Sequence, residues 1–200
     1  LPGIPVLALT ASATLDVQKD ICEKLRPPQT PPMEGLKNPK EQDYFTGWQV
    51  FRQSFERPNL SYSNFKVSSK INKIIEIIRK VPGPGIIYCK SRKRTKEISE
   101  LLQLQGISAD FYHAGLAQDD RNRKQAEGMD NKIRIIVCTN AFGMGIDKPD
   151  VRTVIHADVP DCLENYYQEA GRAGRDGKRS YAVLLFDDRD LMELKEIAAI

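Results

Sequence analysis

From Gly85 onward, short apolar runs alternate with polar stretches that carry apolar residues at helical spacing, and this alternation restricts the chain to one fold class. The runs are "GIIYC" (Gly85–Cys89), "ADFYH" (Ala109–His113), "IRIIVC" (Ile133–Cys138), "TVIHAD" (Thr153–Asp158) and "YAVLLF" (Tyr181–Phe186). Between them lie a stretch with Ile98, Leu101 and Leu102 stopped by Gly106, a helical stretch from Asp119 to Met129, and another over Leu163–Ala170. A closing helix starts near Asp188. Runs without a polar face predict strands buried on both sides, so the expected fold is α/β, a parallel β-sheet flanked by helices on both faces. Upstream, "LSYSNF" predicts an edge strand, and Ile71, Ile74, Ile75 and Ile78 form a helical stripe.

The first residues read as a separate piece, 1–25, with a strand "VLAL" and a helix carrying Val17, Ile21 and Leu25 on one side. Residues 26–53 hold the proline-rich stretch "RPPQTPPMEGLKNPKEQDYFTGW", which blocks regular structure and reads as a linker or insertion. Its Trp48, the only tryptophan, is expected to dock on its own domain. The main domain is expected over 54–200. A net charge of +3 does not select a partner by itself, and no apolar run is long enough to span a membrane. No secretory leader is evident at the start. Cys22, Cys89, Cys138 and Cys162 are far apart and never form Cys-x-x-Cys, so neither zinc nor another metal is expected on this chain, and disulfides are not expected either. Cys89 and Cys138 end apolar runs and read as small buried thiols.

Open parallel sheets bind ligands beyond the carboxyl ends of their strands. That rule predicts one functional edge holding Cys89–Arg94, Thr139–Pro149 and the loop of "YYQEAGRAGRDG" (Tyr166–Gly177). The first segment, "KSRKRTK", packs five cations into seven residues at a helix start, where the helix dipole already repels them. With Ser91 and backbone N–H groups there, it reads as a phosphate seat. Arg121, Arg123 and Lys124 lie among acids and read as a solvated face. In "TNAFGMGIDKPD", Gly143 and Gly145 leave room for a nucleotide or a sugar-phosphate backbone, and Asp147 suits ribose hydroxyls. In the third segment, Arg172 and Arg175 offer planar guanidinium groups for phosphate, with Gln168 spaced to join them. No Gly-x-x-x-x-Gly-Lys-Ser/Thr loop, metal-binding acid pair or nucleophile elbow is present. His113 and His156 read as packing residues rather than general bases.

Taken together these segments resemble RecQ-family ATP-dependent DNA helicases of superfamily 2. The resemblance rests on "LALTASAT", "SFERPNL", "GIIYCKSR", "YHAGL", "FGMGIDKPDVRTVIHADVP" and "YYQEAGRAGRDG", which occur in family order. It implies the second RecA-like lobe of such an enzyme, with the end of the first lobe over 1–25. It further implies that Arg172 and Arg175 contact the γ-phosphate of ATP, one as an arginine finger, with Gln168 beside them and Asp147 on the ribose. Ser91, Arg92 and Thr139 would hold phosphates of single-stranded DNA, and Thr10 and Ser12 would couple nucleotide state to lobe closure. ATP with Mg2+ is the implied cofactor, its metal ligands on the first lobe. The implied partners are single-stranded and forked DNA and that first lobe in cis, with no membrane. The location would be cytoplasmic in a bacterium and nuclear in a eukaryote. Motif III reads "LTASA", where Ser12 keeps a hydroxyl in place of a second threonine. The 200 residues are expected to be a fragment, inactive alone. The alternative reading is a non-motor nucleic-acid-binding or docking module on the same scaffold.

Overall fold

The computed structural model describes residues 7–8, 14–25, 56–140 and 148–198, with side chains to Glu196. The chain divides into two units, Leu1–Glu56 and Arg57–Ile200. The described part of the first unit is the helix α1 (Leu15–Lys24) and its flanks. Thr14 caps it by accepting a hydrogen bond from the Val17 N–H at 3.3 Å, and Cys22 is its buried residue. Val17 and Leu25 stay exposed. The predicted strand "VLAL", the linker and Trp48 lie outside the described residues, apart from Leu7 and Ala8.

In the second unit, strands and helices alternate as β1 (Leu60–Lys66), α2 (Lys70–Lys80), β2 (Gly85–Tyr88), α3 (Arg92–Leu104), β3 (Ala109–Tyr112), α4 (Gln118–Met129), β4 (Ile135–Cys138), β5 (Thr153–His156), α5 (Leu163–Ala170), β6 (Ser180–Phe186) and α6 (Asp188–Ala198). The strands form one parallel sheet in the order β1-β6-β5-β2-β4-β3. This is the expected doubly covered parallel sheet, with β1 at an edge.

The two-residue period of a strand sends alternate side chains to opposite faces. Ile87, Ile135, Val137, Ile155, Val183 and Leu185 face α2 and α3, where Ile74, Ile78, Ile98 and Leu102 meet them. Ile86, Tyr88, Ile136, Cys138, Val154 and Ala182 face the other way, toward Ala170 and Ala173 in and after α5. Ile74 is fully buried in the first layer, and burying such a side chain contributes roughly 1.5–3 kcal/mol. Gly106 ends α3 as read: it takes φ of +72°, its N–H donates to the Gln103 carbonyl at 2.9 Å, and the Ile107 N–H donates to Leu102 at 3.0 Å.

Two readings need correction. The strand expected from Ile133 begins at Ile135, and just before it the Arg134 side chain donates to the carbonyls of Ile78, Val81 and Gly83 at and after the end of α2. Lys124 is not on a solvated face. It is buried, its ammonium bonded to Asp110 and set 4.2 Å from the centre of the Phe111 ring. Its neighbour Arg123 is solvated as read, reaching Asp120 and Glu127.

Candidate functional site

Ser91, Arg92 and Thr139 come together because β2, β4 and β3 are adjacent in the sheet and all point their carboxyl ends the same way. Ser91 caps α3, its hydroxyl accepting from the Arg94 N–H at 3.2 Å. The exposed Arg92 side chain lies across Gly115 in the loop after β3, so closely that a β-carbon there would stand 2.6 Å from Nη1. Burial and then the Arg92 charge push the pKa of His113 below its ordinary value. Thr139 donates its backbone N–H to the Tyr112 carbonyl at 3.3 Å and stays partly exposed.

The cation run beside Ser91 is partly neutralised. Arg94 reaches the Asp158 carboxylate at 3.2 Å, and the Lys90 N–H donates to the same carboxylate at 3.0 Å. Lys70 stands 3.6 Å from Asp158 and 2.7 Å from Asp190. Both Lys70 and Asp158 are nearly excluded from water, so this is a structural network that ties α2, α3 and β5 together. Lys93 and Lys96 pair one turn on with Glu97 and Glu100. The phosphate-seat reading therefore narrows to Ser91, Arg92 and backbone groups.

The backbone of the arginine loop does not share that edge, although the Arg172 side chain reaches back toward the Tyr88 hydroxyl. Helix α5 starts beyond the carboxyl end of β5 and runs back along the sheet, so the loop after it arrives at the amino ends of the strands. There the Gly174 N–H donates to Val151 at 2.8 Å and the Asp176 N–H to Pro149 at 3.1 Å, both just before β5. Arg57 donates to the carbonyls of Gly171, Ala173 and Gly174 at 3.3, 2.9 and 2.8 Å. Asn59 donates to Gly174 and Lys178 at 2.7 and 3.0 Å. Arg152 closes the far side on Asp176 at 2.6 Å, and holds that carboxyl below its ordinary pKa. Gly174 adopts φ of +62°, and a β-carbon would meet Asn59, Ser180 and Lys178 at 2.6 to 2.8 Å, so no other residue fits.

This frame fixes the loop backbone and leaves Arg175 exposed at the rim, while Arg172 is half buried under the α5 face. Gln168 is exposed on α5 one turn before Arg172. Gly143, Gly145 and Asp147 lie outside the described residues, as do Thr10 and Ser12.

A cleft of about 320 Å³ opens at the carboxyl edge, lined by Tyr88, Lys90, Asn140, His156, Asp158 and Glu169 among others. His156 is fully buried on its floor and pairs with Glu169 at 2.8 Å between Nε2 and Oε2. Its ring stacks on Tyr88 at 5.3 Å between centroids and meets Tyr166 at 4.9 Å. Burial, with Cys138 and Glu169 nearby, pushes the Tyr88 hydroxyl well above its ordinary pKa, and Arg172 opposes that rise by its charge and a hydrogen bond. Cys89 is pushed up to about 12, mainly by burial. Cys138 is raised by burial as well, so both thiols stay protonated in the packed layers, as their positions predict. Among the described residues no three His, Cys, Asp or Glu side chains gather as a metal site, and no helix is long and apolar enough to cross a membrane.

Sequence reasoning missed Arg57, Asn59, Arg152, Asp176 and Glu169 as parts of the site. "ERPN" was visible as a motif, and its spacing gives no hint that it grips a loop more than a hundred residues away.

Residues 69–177 match the helicase conserved C-terminal domain. The chain is 42% identical to the ATP-dependent helicase SGS1 of Saccharomyces cerevisiae over 97% of its own length and 12% of that protein's. It is 40% identical to the ATP-dependent DNA helicase RecQ of Bacillus subtilis over 94% of its length and 29% of that one's. A protein of Acanthamoeba polyphaga mimivirus that carries an RNA-helicase name is 42% identical over 96% of this chain and 32% of its own. The chain thus spans a third or less of these relatives. Its fold is similar to a DEAD box protein of Methanococcus jannaschii, with a TM-score of 0.60 and 28% identity over 72% of this chain and 40% of that one. The yeast DEAD-box splicing factor Prp28 shares the fold at a TM-score of 0.62 and 22% identity, over 72% of this chain and 33% of that one. The chain belongs to the family of the helicase conserved C-terminal domain, in its RecQ branch.

Proposed function

We propose that the chain supplies the second motor lobe of an ATP-dependent DNA helicase that moves 3′ to 5′ along single-stranded DNA. The observation that carries this reading is the arginine loop, gripped along its backbone by Arg57 and Asn59, pinned at Asp176 by Arg152, and presenting Arg175 at its exposed rim. A guanidinium on so fixed a loop meets charge that builds on a transferring phosphoryl group without having to reorganise. Arg175 is assigned as the finger and Arg172 as its inner partner on the γ-phosphate. Gln168, Gly143, Gly145 and Asp147 complete the nucleotide side, with Asp147 on the ribose. The phosphate loop and the Mg2+ ligands would come from a first lobe, and bound Mg2+ would neutralise the β- and γ-phosphate oxygens.

Ser91, Arg92 and Thr139 hold phosphates of the DNA strand at the opposite edge, a contact indifferent to sequence and sensitive to salt. Thr10 and Ser12 couple closure of the lobes to the nucleotide. The division of the chain into a first-lobe tail over 1–25, a linker over 26–53 and the lobe proper over 54–200 belongs to the same reading. DNA is preferred to RNA because RecQ of B. subtilis carries a DNA-helicase name.

The test uses the full-length protein with ATP and two forked substrates, one DNA and one RNA. ATP-dependent separation of the DNA fork is expected, and separation of the RNA fork alone would reassign the substrate. ATP-independent binding with no separation of either would favour a docking module.

A further inference from the structure

The two working edges of this lobe lie at opposite ends of the same strands, and they need a physical link if the DNA strand is to influence phosphate chemistry. The side chains that join them are Tyr88, His156 and Glu169. Tyr88 is the last residue of β2, and the chain continues through Cys89 directly into Lys90, Ser91 and Arg92 at the DNA edge. Its ring is only 4% exposed and stacks on His156 with the planes 19° apart. His156 ends β5 and is bonded to Glu169 in the last turn of α5. Glu169 then accepts the Arg172 N–H on its own carbonyl at 3.2 Å, and the Arg172 guanidinium bears on the Tyr88 hydroxyl.

A closed circuit results: β2 to β5 by ring stacking, β5 to α5 by a buried hydrogen bond, α5 to the arginine loop by backbone, and Arg172 back to β2. Ala170 and Ala173, both without solvent exposure, leave the loop start no room to shift independently of α5. A displacement of the β2 end when DNA seats on Ser91 and Arg92 therefore moves the group that Arg172 rests on. Packed elements of this kind pass on small shifts because they cannot deform continuously.

We propose that Tyr88, with His156 and Glu169, is a positioning unit that couples DNA engagement at the carboxyl edge to the placement of Arg172 at the nucleotide. This rests on the second-lobe reading above. None of the three touches the reacting atoms, and their role is to make the arginine's position depend on the DNA strand.

The experiment compares DNA-stimulated with basal ATP turnover in full-length protein, using Tyr88→Phe and Glu169→Gln. Tyr88→Phe keeps the ring and its stacking and removes only the hydroxyl. Glu169→Gln keeps a hydrogen-bond acceptor for His156 and removes the carboxylate charge near the Tyr88 hydroxyl. For Tyr88→Phe the stimulated rate should fall at least about fivefold more than the basal rate, a size usual for coupling between two sites. Glu169→Gln should fall in the same direction by less. A purely structural role would lower the melting temperature and scale both rates equally, and that result overturns the proposal. An unchanged stimulation ratio in both variants overturns it as well. Arg172→Ala and Arg175→Ala in the same assay separate the two claims. If they keep full turnover, the second-lobe reading itself fails. If they lose turnover while Tyr88→Phe keeps its ratio, only the coupling fails.

Discussion

The carboxyl and amino edges of this sheet hold basic residues in opposite ways. At the carboxyl edge the cations belong to the segment that begins α3, and much of their charge is absorbed locally by Asp158, Glu97 and Glu100. Ser91 is also engaged by its own helix. At the amino edge the arginine loop is bound by Arg57 and Asn59 just before β1, which donate to its carbonyls, by Arg152 just before β5, which pairs with Asp176, and by the carbonyls of Pro149 and Val151, which accept its N–H groups. The first arrangement suits a loose, repeated grip on a uniform backbone, where each contact is weak and exchangeable. The second suits a single exacting geometry, where an ångström matters to the rate.

If this contrast is right, substitutions at the amino edge should act on chemistry and those at the carboxyl edge on binding. The largest effect is expected for Arg175→Ala in full-length protein, a drop in ATP turnover on the order of 10³ or more. Single-strand affinity, read by fluorescence anisotropy, should change only a few-fold, and a comparable loss in both would erase the distinction. Next comes Arg57→Ala, which strips donors from three loop carbonyls at once. It should lower unfolding stability by roughly 2–3 kcal/mol, measured by urea denaturation, and reduce turnover although Arg57 touches no phosphate. Arg92→Ala should be milder: single-strand affinity falls several-fold, and the slope of log K against log salt falls by about 0.7 for one lost phosphate contact. An unaltered slope would make Arg92 a bystander.

The smallest effect concerns acid. Arg152 holds Asp176 below the ordinary carboxylate pKa, so the unfolded chain binds a proton more readily than the folded one. The pair's contribution is therefore present above the unfolded value, about 3.9, and lost as pH falls through the lower folded one. Hydrogen exchange at Gly174 and Asp176, corrected for intrinsic rates, should show steady protection from pH 8 to 5 and extra opening only below about 4. Asp176→Asn should remove that acid-dependent step.

The fold was legible because β2, β4 and β5 are apolar on both faces and α2 and α3 carry their stripes, so local pattern and global architecture agree. Ile74 and Ile78, the Gly106 stop and the edge position of β1 all follow from spacing alone. The site was legible only as a set of segments. Their division between two edges depends on α5 running back along the sheet, which no motif encodes. Arg94 read as part of a phosphate seat and Lys124 as surface charge because their partners, Asp158 and Asp110, are close only after the sheet assembles. Asp110 is fourteen residues from Lys124 and Asp158 sixty-four from Arg94, and neither distance in sequence carries a periodic signal.

Arg57 and Asn59 are the first residues after the boundary between the two units, and they are also the hands that hold the arginine loop. Tension or twist arriving along the chain at Glu56 is thus delivered to that loop within three residues, before it meets any strand. The tether doubles as a bridle, and anything that tugs on it steers the arginines.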